Sequence, residues 1–148
     1  MKNYGENQKK PVITIDLTQT ELFASFAEIG NGDAYVDLHN EFYCYSINYS
    51  QNQSQLSFSF KASKNNSRKI QHVELTFKNV IIEVMNFKID NGACNSEWTL
   101  NIAYRGRFED QNAGLGEVSN EGKYYYYLDF YDDYSFEVFS DSVIAELK

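Results

Sequence analysis

The chain has 148 residues, 43% of them hydrophobic and 16% aromatic, with a net charge of -8. That length suits one domain with a sizeable core. The acidic balance argues against nucleic acid, which needs a basic face for its phosphates, and against an anionic membrane surface. No apolar run approaches the roughly 20 residues of a membrane helix; the longest, Val80-Ile81-Ile82, stops at Glu83.

Residues 1–10 are polar and read as a disordered lead-in to a single β-rich domain over 11–148. They contain no apolar core of a signal peptide. The expectation is a cytoplasmic protein in which Cys44 and Cys94 are reduced thiols, since two cysteines make no disulfide framework.

Val12, Ile13, Ile15 and Leu17 suggest a first strand. Thr18-Gln19-Thr20-Glu21 has the spacing of a capping box. Leu22, Phe23, Phe26 and Ile29 then fall at helical spacing, and Gly30 offers a stop. This predicts one short N-terminal α-helix packed on a sheet.

From about position 34 the period changes to two. Ala34–His39 reads as a short strand. Phe42–Tyr49 follows, with Tyr43, Tyr45, Ile47 and Tyr49 on one face. Leu56, Phe58 and Phe60 alternate with Ser57, Ser59 and Lys61; Val73, Leu75 and Phe77 alternate with Glu74 and Thr76. Such alternation marks half-buried antiparallel strands. Val80–Phe87 reads as a more buried strand, and Trp98–Tyr104 as the next. Arg105–Gly122 is a long, glycine-containing polar loop, a length that marks function or mobility. Tyr124–Tyr131 and Tyr134–Phe139, broken by Asp132-Asp133, predict a β-hairpin. Val143–Leu147 is a strand or a helical turn. Strand runs at about 8–12-residue spacing predict a mainly β protein, an antiparallel β-sandwich or strongly curved sheet.

Chemistry is sparse. His39 lies two residues after Asp37, and His72 two before Glu74, so each pair shares a strand face and could be half of an acid–base or metal site. Polar strand faces produce the same spacing. Cys44 sits between Phe42 and Tyr45 and reads as a buried, inert thiol. Phosphate-loop, nucleophile-elbow, zinc-protease and Cys-x-x-Cys motifs are absent. Asp129, Asp132 and Asp133 lack the spacing of a calcium loop. No cofactor or metal is expected.

The aromatic surplus points instead to contact surfaces. Tyr125, Tyr127 and Tyr131 share a face with Asp129, in an acidic C-terminal third that includes Glu137. Tyrosines with an apolar body and a wet hydroxyl make good contact residues.

The string Tyr127–Val143, together with Asp33-Ala34-Tyr35-Val36-Asp37-Leu38-His39 and Val73–Val80, resembles small acidic β-rich bacterial proteins. Some of that group are immunity proteins of polymorphic toxin systems. Those proteins often place a histidine where this chain has Gly32, so no role carries over to that position. The resemblance implies a non-enzymatic cytoplasmic inhibitor that presents acidic residues to a basic protein partner. On this reading the contact residues are Tyr125, Tyr127, Asp129, Tyr131, Asp132, Asp133 and Glu137. A carbohydrate- or small-ligand-binding module is the alternative, and a hydrolase using His39 or His72 the third.

Overall fold

The computed structural model describes residues 11–64, 69–87, 98–110, 114–131 and 134–148. Among them are thirteen strands: β1 (Ile13–Asp16), β2 (Glu28–Ile29), β3 (Val36–Asp37), β4 (Phe42–Ser50), β5 (Gln55–Ala62), β6 (His72–Lys78), β7 (Ile81–Asn86), β8 (Leu100–Gly106), β9 (Phe108–Asp110), β10 (Gly114–Gly116), β11 (Tyr124–Phe130), β12 (Tyr134–Ser140) and β13 (Ser142–Leu147). One sheet has the order β1-β13-β6-β5-β4, a second β7-β12-β11-β8, and β2-β3 and β9-β10 form two small pairs. Every pairing is antiparallel.

Alternation along the strands builds the interior. Leu56, Phe58 and Phe60 of β5, Val73, Leu75 and Phe77 of β6, and Val143, Ala145 and Leu147 of β13 are buried. So are Tyr126, Leu128 and Phe130 of β11 and Phe136 and Val138 of β12. The two larger sheets meet through their rings. Phe58 lies 5.9 Å from Phe130 and 5.1 Å from Phe136, and Phe77 lies 5.4 Å from Tyr126. Each ring so buried contributes about 1.5–3 kcal/mol through lost water contact alone. A backbone bridge between Cys44 and Trp98 ties the β4 edge to the chain entering β8.

The predicted helix over Thr18–Gly30 does not form. The Thr18 hydroxyl accepts from the Val143 N–H (3.1 Å), and the Thr18 N–H donates to Asp16 Oδ1 (2.9 Å). Leu17, Phe23 and Phe26 donate their N–H groups to the carbonyls of Val143, Arg105 and Ala103 at 2.9, 2.8 and 2.7 Å. Those backbone groups are thus satisfied by β8 and β13, not by a helical ladder. Phe26 and Ile29 still reach the core, while Phe23 takes φ +63 and is mostly exposed. Gly30 does occupy a left-handed conformation, at φ +78, but in a turn between strands.

Four strand-level readings also change. Ala34–His39 shortens to β3, preceded by a 3-10 turn at Gly32–Ala34. β7 is the edge of its sheet and is the more exposed strand, not the more buried one, with Ile81 and Met85 open to solvent. A bulge between Cys44 and Ser46 splits the tyrosine face of β4. The Arg105–Gly122 stretch is not simply loop: it carries the end of β8 and the β9-β10 pair. The C-terminal hairpin has the register Phe130↔Tyr134, and Val143–Leu147 is strand. Residues 1–10, Cys94, and the Asp132-Asp133 turn lie outside the described residues.

Candidate functional site

On β11, Tyr126, Leu128 and Phe130 point into the core, so Tyr125, Tyr127 and Asp129 must point outward. On β12, Phe136 and Val138 point in, and Ser135, Glu137 and Phe139 point out. Register then sets Tyr125 opposite Phe139, Tyr127 opposite Glu137 and Asp129 opposite Ser135. β8 adds Tyr104 beside Tyr127 and Ile102 beside Asp129. Four of the predicted contact residues, Tyr125, Tyr127, Asp129 and Glu137, therefore share the outer face of the four-stranded sheet. Tyr131 stands apart: it is exposed just beyond β11, with its ring 5.7 Å from that of His39. Asp132 and Asp133 lie outside the described residues.

Rings cover much of this face. Tyr104 lies 5.4 Å from Tyr127 and 5.8 Å from Phe23; Tyr125 lies 5.6 Å from Phe139. Gly106 makes room for two of them, because a Cβ there would sit 3.1 Å from the Tyr104 ring and 3.3 Å from the Tyr125 ring.

The carboxylates are held by neutral groups. Glu137 accepts from the Tyr125 hydroxyl, and Asp129 accepts from Asn101 Nδ2 at 2.9 Å. Neither bond cancels the negative charge. Burial pushes the Tyr125 phenol well above its ordinary range, and the bond to Glu137 and that carboxylate's charge add to the shift. Tyr127 is raised too, first by burial and then by the charge of Asp129. Both phenols stay protonated donors at neutral pH.

The carboxylate beside each histidine has another partner. Asp37 Oδ1 accepts the backbone N–H groups of His39 and Asn40, both at 3.0 Å, and Oδ2 takes Asn40 Nδ2 at 2.8 Å. The carboxylate thus closes a turn and does not orient the imidazole; His39 Nδ1 lies 2.9 Å from the Leu100 carbonyl oxygen. Glu74 accepts from Thr76. No group of three or more potential metal ligands gathers among the described residues. Cys44 is buried, and burial pushes its thiol up to about 12, so it is a poor nucleophile.

No family model, curated protein or solved structure matches this chain. The reading of the site therefore rests on its geometry.

One part of this face escaped the sequence reading. Phe108, at the start of β9, packs 5.0 Å from Phe139 and 6.5 Å from Tyr125, extending the ring surface beyond the sheet. The only signal for it was an aromatic residue inside a loop of unusual length.

Proposed function

We propose that this chain is a non-enzymatic protein-binding domain that engages a basic protein partner through the outer face of its four-stranded sheet. In its most specific form it is a cytoplasmic, immunity-type inhibitor of a bacterial toxin, as its resemblance to that group implies. The observation that carries the reading is the gathering of Tyr104, Tyr125 and Tyr127 with Asp129 and Glu137 on one face, where each carboxylate accepts from a neutral donor.

Tyrosine bodies supply apolar contact area at low entropic cost, and their hydroxyls supply hydrogen bonds. The carboxylates steer a positively charged partner and disfavour an acidic one. A sugar platform has less support, since the rings here tilt against one another, Tyr104 and Tyr127 by 45° and Tyr125 and Phe139 by 61°. A hydrolase has less still, because Asp37 is engaged by backbone N–H groups.

The test uses a partner captured at low salt. Substituting Asp129→Lys together with Glu137→Lys should lower its association rate by about tenfold and flatten the salt dependence. A captured partner indifferent to both the substitutions and salt would contradict the proposal.

A further inference from the structure

The outer face ends in a groove whose chemistry differs from that of the rest of the sheet. Ile81 of β7, Phe139 of β12 and Phe108 of β9 line a cavity of about 400 Å³. Phe108 meets Phe139 edge to face, with centroids 5.0 Å apart and planes at 79°. Phe108 also lies close against Gly116 of β10, where an added Cβ would come within 3.0 Å of the ring. The pairing of β9 with β10 thus holds an aromatic wall beside the sheet.

Carboxylates reach this groove from three separate elements: Glu83 from β7, Glu109 and Asp110 from β9, and Glu121 from the turn before β11, where Ser119 and Asn120 also line it. Among the described residues that line it there is no lysine, arginine or histidine. Elsewhere the chain places cations beside its acids. Lys123 lies 3.0 Å from Asp141, and Arg105 lies 3.7 Å from Glu117.

We infer that this groove seats a lysine or arginine side chain of the basic protein partner. The inference rests on the docking reading of the outer face and names what the partner must supply there. A long cationic side chain is amphipathic: its stem packs on apolar surface while its head stays among charges and water. Here the stem meets Ile81 and the rings, and the head meets the carboxylates, with the ring faces adding cation–π attraction. A purely apolar anchor would cover the approach to these carboxylates without supplying a positive charge. An anionic group would be repelled. Charge complementarity therefore selects the occupant.

The probe is acetyl-triarginine amide, compared with its neutral citrulline counterpart, titrated into the full chain and followed by ¹H–¹⁵N NMR. The expected result is arginine-dependent shifts at the amides of Ile81, Phe108 and Phe139, with the citrulline peptide silent. The triple change Glu83→Gln, Glu109→Gln and Glu121→Gln should weaken binding at least about tenfold. A control triple with the same loss of charge, Glu28→Gln, Glu74→Gln and Glu146→Gln, should change it by less than about twofold. Equal weakening by both triples, with shifts scattered over the surface, would overturn the inference in favour of net charge alone. Shifts gathered at Tyr104, Tyr127 and Asp129, with the groove silent, would overturn it while leaving the docking face standing. Shifts confined to the five-stranded sheet would sink both readings.

Discussion

The hydroxyl of Tyr125 donates to the carboxylate of Glu137, a residue whose register partner is Tyr127. The bond runs diagonally between two strands and joins two residues of the proposed contact surface. Burial, then this bond and the nearby charge, hold the phenol protonated. Replacing Glu137 with Gln removes the charge and keeps the shape. Tyr125 should then ionise at lower pH than in the wild type. Ultraviolet titration of the phenols, with a Tyr125→Phe chain as reference, reads the change.

Tyr126 offers an alkaline counterpart on the core side. Its phenol is buried, donates to the Thr18 carbonyl at 2.8 Å, and is raised above its ordinary range by burial. For a phenol whose native pKa exceeds the unfolded one near 10, the stabilisation is complete below that pH. It declines as pH rises toward the native value, because the unfolded state loses its proton first. Unfolding free energy should therefore fall above about pH 10. In Tyr126→Phe the fall should be shallower. The same substitution leaves the Thr18 carbonyl without its phenol donor, which should cost about 1–3 kcal/mol at neutral pH in denaturant unfolding.

How much of this was legible beforehand depends on which interactions decide each segment. The alternation at Leu56–Phe60, Val73–Phe77 and Tyr124–Phe130 is local, so sequence alone revealed those strands and the inward or outward sense of their residues. The segment from Thr18 to Gly30 is decided by distant partners. Phe23 and Phe26 donate to Arg105 and Ala103, and the Thr18 hydroxyl accepts from Val143; these partners lie far along the chain and outweigh helical spacing. Apolar residues on a sheet edge look the same in sequence as those in its middle, so the exposure of β7 follows only from strand order. The tyrosine–carboxylate face could be read from period two within the hairpin. The groove could not, because Ile81, Phe108, Phe139 and Glu121 come together only through the topology.

Gly30 tests the turn that replaces the predicted helix. It sits at φ +78, and an added Cβ would lie 2.1 Å from the Ala34 carbonyl oxygen. Gly30→Ala adds both a disfavoured backbone conformation and a clash with main chain. It should destabilise the protein by about 1–3 kcal/mol, measured as a lower denaturant midpoint. A neutral effect would mean that this turn is not formed as described.

Acid stability should depend on Asp141. Hydrogen bonds from Lys123 and Asn79 hold its carboxyl below the ordinary range. Lys123 Nζ also donates to the Asn79 carbonyl at 2.7 Å, so one ammonium links the β6–β7 and β12–β13 turns. With a depressed native pKa, the stabilisation is present above the unfolded value near 4 and is lost as pH falls through the native one. Lys123→Met should raise the Asp141 pKa, seen by carboxyl NMR, and reduce the difference in stability between neutral and acid pH.

The most direct test of the docking face is the association rate of a captured basic partner with two charge-matched variants, measured at low and high salt. One variant carries Asp129→Asn and Glu137→Gln on the tyrosine face; the other carries Glu74→Gln and Glu146→Gln on the five-stranded sheet. The first should lose most of the low-salt rate, and the second should stay close to wild type. Equal rates for the two variants, or a partner that binds the first as the wild type does, would contradict it.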